Sequence, residues 1–184
     1  AHYLLNQITN MLITNILVLA QAGVDILCLD DDVGDPRSMI INPALWREFL
    51  KPLMSKVIKL AREVKPDILV FYHSDSYIEQ VIPDLIEIGV DILNPVQVSA
   101  TGMDSAELKR EFGKDIVFWG GGVDTQKTLA FGQPEEVRVE VLRRCEVFGK
   151  GGGFVFNAVH NIQGNTPIQN IEALFRAIRD SAKA

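Results

Sequence analysis

Gly89-Val90-Asp91-Ile92-Leu93 decides the fold of this chain, because its pattern occurs four times. The other copies are Gly23-Val24-Asp25-Ile26-Leu27, Pro66-Asp67-Ile68-Leu69 and Gly113-Lys114-Asp115-Ile116-Val117. In each copy Gly or Pro ends a helix-like stretch, Asp occupies the turn, and two aliphatic residues enter an apolar run too short for a helix. The repeated junction predicts parallel βα units, which place their chemistry at the carboxyl ends of the strands.

Composition favours a globular α/β domain, since 47% of the 184 residues are hydrophobic and 23% are charged. The formal net charge of -6 argues against nucleic acid or an anionic membrane as the main partner. Cys28 falls in a buried strand pattern and Cys145 in a helix pattern, without a C-x-x-C pair. A reducing, cytoplasmic compartment is therefore predicted.

Residues 3 to 24 carry no charge, as in a membrane segment or a signal peptide. Polar residues nevertheless recur there at helical spacing, namely Asn6, Gln7, Asn10, Thr14 and Gln21. This stripe predicts a packed amphipathic helix and no membrane span.

The hydrophobic periodicity predicts about five strands alternating with helices. Helices are expected over 4–22, 43–65, 77–88, 104–112, 134–148 and 167–180, and strands over 24–30, 67–73, 90–94, 115–119 and 153–157. Helix starts are predicted at Asn42-Pro43, at Ser76 with Glu79, at Asp104 with Glu107, and at Thr166-Pro167 with Gln169.

One domain over 1–184 is expected, and it resembles part of a larger unit. A closed (β/α)8 barrel takes roughly 250 residues and eight strands. An open doubly wound sheet could be complete at this length, but the C-terminal portion of a (β/α)8 TIM barrel is the preferred interpretation. Its exposed apolar edges predict either self-association or a companion N-terminal barrel segment.

Polar residues follow every predicted strand, so they are expected on one rim. They are Asp30-Asp31-Asp32 with Arg37, His73-Ser74-Asp75-Ser76, Asn94-Pro95-Val96-Gln97, Gly120-Gly121-Gly122-Val123-Asp124, and Asn157 with His160. His-x-Asp at a strand end brings an imidazole and a carboxylate within reach of one metal or one substrate, although Asp75 could equally form a local turn. His160 is either a structural histidine or a partner of His73 across the barrel mouth.

Several of these residues have structural alternatives. Ser76 is expected to cap a helix, because Glu79 completes a capping box. Strand alternation allows Asp30 or Asp32 to reach inward while the remaining acids cap or solvate the loop. Gly120-Gly121-Gly122 follows a strand, where bare backbone can approach a ligand, whereas Gly151-Gly152-Gly153 precedes one and is expected to be a turn.

The order and spacing of these segments resemble the uroporphyrinogen decarboxylase superfamily from about residue 22 onward. The matching segments are Leu29-Asp30-Asp31, Asn42-Pro43 with Trp46, His73-Ser74-Asp75, 83–91, Asn94-Pro95-Val96-Gln97, Met103-Asp104, Leu108-Lys109, Phe112-Gly113, 120–126, and 160–163 with Thr166-Pro167 and Asn170. The resemblance implies a (β/α)8 barrel with its active site in the mouth.

Two chemistries are implied by this resemblance. True decarboxylases act on the acetate arms of uroporphyrinogen III without metal or cofactor, using arginines and an aspartate near the family N-terminus. Methyltransferases of the superfamily use zinc to activate a thiol such as coenzyme M, with the methyl group carried by a corrinoid protein. Their zinc pattern resembles His-x-Cys after one strand plus a Cys before the last Thr-Pro helix start.

The zinc pattern is matched in part. His73 stands at the first ligand position, Asp75 where the family has Cys, and His160 six residues before Thr166, where the second Cys would be. Thiol-type coordination is therefore absent from these positions, but His, Asp and His can make a tripod for zinc or another divalent ion. In the decarboxylase branch, a histidine at the position of His160 serves without metal.

The predicted rim is acidic, since it contains six aspartates and only two basic residues, Arg37 and Lys127. Such a rim disfavours a substrate rich in carboxylates, because that substrate needs fixed cations for binding. We therefore expect a corrinoid-linked methyltransferase with His73, Asp75 and His160 as catalytic metal ligands. Expected substrate contacts are Asp31, Arg37, Asn94, Gln97, Gly121, Gly122, Asp124 and Asn157. Uroporphyrinogen III decarboxylation is the alternative, and an inert fragment or a partner-binding subunit is the non-catalytic alternative.

Overall fold

The computed structural model describes residues 1–182, so the last two residues of the predicted domain lie outside the described part. The helices are α1 (His2–Gln21), α2 (Pro43–Phe49), α3 (Lys51–Val64), α4 (Ile82–Glu87), α5 (Ser105–Phe112), α6 (Thr128–Phe131), α7 (Pro134–Gly149) and α8 (Ile168–Ser181). The strands are β1 (Ile26–Asp30), β2 (Leu69–His73), β3 (Ile92–Asn94), β4 (Val117–Trp119) and β5 (Phe154–Val155).

The five strands form one parallel sheet in the order β1-β2-β3-β4-β5. Sequential parallel neighbours joined by helices are the arrangement of a (β/α)8 barrel, and the sheet matches part of one. This confirms the α/β fold predicted from the repeated junction. In the register, Asp30 pairs with His73 and His73 pairs with Asn94, so the carboxyl ends of three strands are level.

The two faces of this sheet are covered differently. On the helix-covered face, Val70, Tyr72, Leu93 and Phe118 are fully buried in a core that includes residues of α2, α3, α4, α5 and α7. The alternate residues form the open face, where Leu69 is 45% and Val155 37% exposed. Cys28 lies on this open face and is exposed, which corrects its predicted burial.

Prolines account for two errors in the helix bounds. The predicted helix 43–65 is two helices that meet at Leu50, because Pro52 lacks an amide hydrogen and must occupy a first turn. Pro83 likewise lies in the first turn of α4, which begins at Ile82, and a 3-10 turn over Glu79–Val81 precedes it. The four-residue helix α6 was not predicted, since so short a segment has no periodicity to detect.

The predicted helix caps are confirmed at two positions and wrong at two. Asn42 accepts a hydrogen bond from the amide of Ala44, and Asp104 accepts one from the amide of Ala106. Pro167 precedes α8 without a side-chain cap, so Thr166 does not cap it. Ser76 also caps no helix, because the next element is the 3-10 turn Glu79–Val81, whose cap position is Ile78.

Helix α1 is less covered than predicted. Thr9, Ile16 and Ala20 are buried, and the helix packs on α3, but Tyr3 and Met11 are 81% and 61% exposed. By length and composition α1 could cross a membrane. Core helices of soluble proteins and signal sequences pass the same test, so this property is weak evidence for a membrane span.

Candidate functional site

Two loops bring the three predicted metal ligands together at the carboxyl end of the sheet. His73 ends β2, Asp75 follows it, and His160 lies in the loop after β5. His73 Nε2 is 4.0 Å from Asp75 Oδ1, and His160 Nε2 is 3.6 Å from Asp75 Oδ2. The two imidazole rings lie 6.5 Å apart between centroids. One carboxylate therefore stands between two imidazoles, each beyond hydrogen-bonding distance.

The position of Asp75 is set by the loop after β1. Its amide donates to Asp32 Oδ1 at 2.8 Å, and the neighbouring Ser74 hydroxyl accepts from the amide of Val33 at 3.1 Å. Gly34 touches this segment closely, since a Cβ there would collide with the Asp75 carbonyl oxygen. The loops after β1 and β2 are thus held together by bonds from a main-chain amide of one loop to a side chain of the other, and by the close approach of Gly34.

The Asp75 carboxylate is incompletely satisfied. Within residues 1–182, its Oδ1 atom is buried and has no hydrogen-bond partner. Buried polar atoms in native proteins are nearly always paired, because an unpaired one costs about 1–3 kcal/mol. A cation or a proton donor placed beside Oδ1 would remove this cost.

His73 is held from its other side by the next strand. Its Nδ1 atom lies 2.6 Å from Asn94 Oδ1, and Asn94 Nδ2 donates to the Trp119 carbonyl oxygen at 2.6 Å. Asn94 is only 6% exposed. Both ends of its amide are bonded to protein, and the side chain also lines the cavity at the strand ends.

Asp30 and Asp32 form a second donor group with His73. One potential ligand atom from each of the three residues lies within 4.8 Å of the others. Strand alternation predicts that Asp30 or Asp32 faces inward, but it does not predict that either is a metal ligand. The register pair of Asp30 and His73 explains the proximity, and it is not evident from the sequence alone.

Asp31, the acid predicted to contact substrate, lines the apolar groove beside α1 instead of the cavity that contains His73. Its carbonyl accepts a hydrogen bond from the Tyr72 hydroxyl at 3.0 Å. Burial raises the pKa of Asp31 above its usual value, and the negative charges of Asp30 and Asp32 add to the increase. Strand alternation turns this side chain away from its two neighbours.

The cavity at the strand ends has a volume of about 630 Å³. Its polar lining is Asp30, His73, Asn94, Asn157, His160 and Asn161, and its apolar lining includes Phe156, Val159, Leu174, Phe175 and Ile178. Asn157 therefore lies where substrate contact was predicted. Among the described residues that line this cavity, none is a lysine or an arginine.

The glycines predicted to cradle a ligand use their amides within the protein. Gly121 donates to the Pro95 carbonyl at 2.8 Å, and Gly122 donates to the Asn157 carbonyl at 2.9 Å. A Cβ at Gly122 would collide with the Phe156 ring, so close packing accounts for this glycine. Neither residue lines the cavity.

Three further predicted contacts also have other positions. Gln97 Oε1 accepts hydrogen bonds from the Ser76 amide at 3.0 Å and from the Ser76 hydroxyl at 3.3 Å. Ser76 has a φ of 69° and lies two residues before Ile78, the cap of the following 3-10 turn. Asp124 Oδ1 accepts from the amides of Gln126 and Lys127 and shapes the turn before α6. Arg37 lies in an exposed loop outside the cavity lining.

Comparison with known proteins agrees with this architecture. Residues 1–181 match the family model described as "Uroporphyrinogen decarboxylase (URO-D)". Uroporphyrinogen decarboxylase of Coxiella burnetii (strain Dugway 5J108-111) is 24% identical over 97% of this chain and 47% of its own length. The Prochlorococcus marinus (strain NATL2A) enzyme of that name is 30% identical over 96% of this chain and 46% of its own length.

A solved structure shares the fold. It is a methyltransferase from Methanosarcina mazei, which superposes with a TM-score of 0.71 at 22% sequence identity, covering 96% of this chain and 48% of that one. The chain thus spans about half the length of the curated relatives it matches. It belongs to the uroporphyrinogen decarboxylase (URO-D) family.

Proposed function

We propose that the protein takes part in corrinoid-linked methyl transfer to a thiol, with a divalent metal held by His73, Asp75 and His160. The observation that carries this proposal is the buried, unpartnered Asp75 Oδ1 atom on a carboxylate that stands between two imidazoles. The fold shared with the Methanosarcina mazei methyltransferase supports the same branch of the family.

The donor types suit zinc, and Asp75 is the residue that joins them. Its Oδ1 atom lies 4.0 Å from His73 Nε2 and its Oδ2 atom 3.6 Å from His160 Nε2, whereas tetrahedral zinc with bonds of about 2.0–2.1 Å needs ligand atoms roughly 3.3 Å apart. The three side chains would therefore have to move closer together to hold the ion, while among residues 1–182 the ligand atoms that already lie within 4.8 Å of one another are those of Asp30, Asp32 and His73. Two imidazoles and one carboxylate are also a ligand set found in catalytic zinc sites, which keep a fourth position for the reactant.

The chain's own residues supply orientation and shielding. Zinc, when bound, would stabilise the thiolate form of the acceptor at neutral pH. Asp75 would hold negative charge beside the metal, and His73 is oriented by Asn94 so that Nε2 faces Asp75. The apolar wall formed by Val159, Leu174 and Phe175 would exclude water from the reacting thiol. The methyl group would arrive on a corrinoid partner protein.

Uroporphyrinogen III decarboxylation is the second candidate, and the names of the curated relatives favour it. In that case His160 and the polar rim would contact substrate carboxylates without a metal. A substrate rich in carboxylates needs fixed cations, and the described lining contains neither lysine nor arginine. For this candidate the cations would have to be the arginines that the resemblance places near the family N-terminus.

Zinc content tests the proposal directly. The protein is purified without chelator, and its metal content is measured for the wild type, His73→Ala, His160→Ala and the control His2→Ala. His2 does not line the cavity and packs against Phe49 with 4.7 Å between the ring centroids, so the control removes a histidine outside the site. We expect near-stoichiometric zinc in the wild type and in His2→Ala, with loss in the other two variants.

Folding is checked in the same samples by circular dichroism. A folded wild type that takes up no zinc, even when zinc is added at micromolar concentration, would overturn the proposal and favour the decarboxylase candidate. Equal zinc content in all four folded proteins would also contradict it, because the metal would then bind elsewhere.

A further inference from the structure

Asn94 connects the candidate metal ligand to the main chain of a third strand. Its Oδ1 atom is 2.6 Å from His73 Nδ1, and its Nδ2 atom is 2.6 Å from the Trp119 carbonyl oxygen. A carbonyl oxygen can only accept a hydrogen bond, so the amide nitrogen of Asn94 must face Trp119. This contact fixes which end of the amide faces His73, and that end is an acceptor.

The acceptor determines where the imidazole of His73 carries its proton. A neutral imidazole has one protonated and one unprotonated ring nitrogen. With Asn94 Oδ1 as its neighbour, Nδ1 must be the donor, which leaves a lone pair on Nε2. Nε2 is the atom that faces Asp75 at 4.0 Å.

We propose that Asn94 is a positioning residue that holds His73 in the Nδ1-protonated tautomer and thereby prepares Nε2 as a metal ligand. The proposal rests on the proposed function for the identity of the ligand. Hydrogen bonds to the second nitrogen of a metal-bound histidine commonly change metal affinity by about 10- to 100-fold. The strand register places the three residues side by side. His73 and Asn94 are register partners on β2 and β3. Asn94 and Trp119 are the residues that directly follow the register pair of Leu93 and Phe118 on β3 and β4.

The first measurement is the tautomer of His73 in the metal-free protein, read from ¹⁵N–¹H correlations of the imidazole rings at a pH where the ring is neutral. Asn94→Leu removes the acceptor, whereas Asn94→Asp retains an acceptor but loses the donor to Trp119. Asn170→Leu is the matched control. Asn170 is 1% exposed, and its Nδ2 atom donates to the carbonyls of Leu129 and Gly132 far from His73 in the sequence.

We expect the Nδ1-protonated tautomer in the wild type, in Asn94→Asp and in Asn170→Leu, and its loss in Asn94→Leu. All three variants should lose stability, so a purely structural role for Asn94 would not reproduce this pattern. A wild type protonated on Nε2, or an unchanged tautomer in folded Asn94→Leu, would overturn the proposal. If Asn94→Leu does not fold, Asn94→Asp and the wild type still decide it.

The second measurement is zinc affinity by calorimetric titration. We expect zinc to bind Asn94→Leu about 10- to 100-fold more weakly than the wild type, and Asn170→Leu with wild-type affinity. Wild-type affinity in Asn94→Leu would overturn the inference while leaving the proposed function intact. No zinc binding to the wild type would reject the proposed function and the ligand part of the inference, and the tautomer measurement would still test Asn94 itself.

Discussion

The two faces of the sheet differ in what their side chains do. On the helix-covered face, Tyr72, Leu93 and Phe118 are fully buried and contribute to the core. On the open face, His73 and Asn94 alternate with those residues along the same strands, and Leu69 and Val155 remain partly exposed. The strands β1, β2 and β3 thus alternate between core residues on one face and, at their carboxyl ends, the polar residues Asp30, His73 and Asn94 on the other.

The two faces therefore place different demands on the amino-acid sequence. The covered face needs only apolar residues of suitable volume, and several combinations would fill it. The open face carries specific polar atoms whose partners come from other strands and loops. We therefore expect substitutions on the covered face to change the free energy of unfolding most, and those on the open face to change ligand binding.

A matched pair of leucines gives the largest expected contrast. Leu93→Ala should lower the free energy of unfolding by about 2–5 kcal/mol, because it leaves a cavity in the core. Leu69→Ala, on the open face, should cost about 1 kcal/mol or less, since its side chain is already half in solvent. Urea denaturation of both variants measures the difference. Similar losses in the two variants would show that the open face is covered in solution.

Zinc that binds to the open face should raise the free energy of unfolding. At a free concentration 100 times its dissociation constant, a ligand that binds only the folded state adds about 2.7 kcal/mol to the free energy of unfolding. We expect this increase in the wild type and not in His73→Ala, measured by urea denaturation with and without zinc. Leu69→Ala should respond like the wild type, and equal stabilisation of His73→Ala would contradict the proposed ligand set.

The helical layer behind the covered face contains an ion-pair cluster that should respond to pH. Asp84 is 8% exposed and accepts hydrogen bonds from Lys51 at 2.7 Å and Arg47 at 2.8 Å. Burial opposes ionisation, but these two cations hold the pKa of Asp84 below its ordinary value. Its stabilising contribution is therefore complete above the pKa of the unfolded chain and is lost as the pH falls through the lower pKa of the folded state.

Asp84→Asn tests this contribution. At pH 7 the variant should be less stable than the wild type by about 1.5–3 kcal/mol, since hydrogen bonds to charged groups are lost. The difference should shrink as Asp84 of the wild type becomes protonated in acid. Urea denaturation at a series of pH values provides the measurement, and a pH-independent difference would refute the assigned role of the ion pairs.

The smallest effect is expected at Cys28, which lies on the open face. Cys28→Ser should change the free energy of unfolding by less than about 0.5 kcal/mol, as for other exposed substitutions. A thiol reagent should modify Cys28 of the folded protein faster than Cys145, which is only partly exposed. Slower modification of Cys28 would mean that another surface covers this face in solution.

The parallel sheet could be predicted from the sequence, because local hydrophobic periodicity reveals the strands. The shared rim could be predicted as well, because it consists of the residues that follow each strand. The positions of His73, Asp75 and His160 after strand ends also predict that they lie near one another, as they do. The sequence did not predict the hydrogen-bond partners of Ser76 and Asn94, which are Gln97 and Trp119, each more than 20 residues away. Such partners are set by strand register, which the periodicity of a single segment does not encode.

The split of the helix predicted over 43–65 has a different cause. Pro52 was a visible local signal, but the apolar periodicity on both sides of it continued without interruption. Periodicity reports which face is buried and does not report whether the backbone hydrogen bonds continue.

The interlocked loops after β1 and β2 have a consequence for how this protein could diversify. Asp32 and Val33 bind the segment at Ser74 and Asp75, and Gly34 leaves no room for a side chain between them. An insertion in one loop alone would displace Asp75 from both histidines. We expect lineages of this family that keep the Asp75 carboxylate to vary the two loops jointly, and grafting experiments to succeed only when both loops are transferred as one cassette.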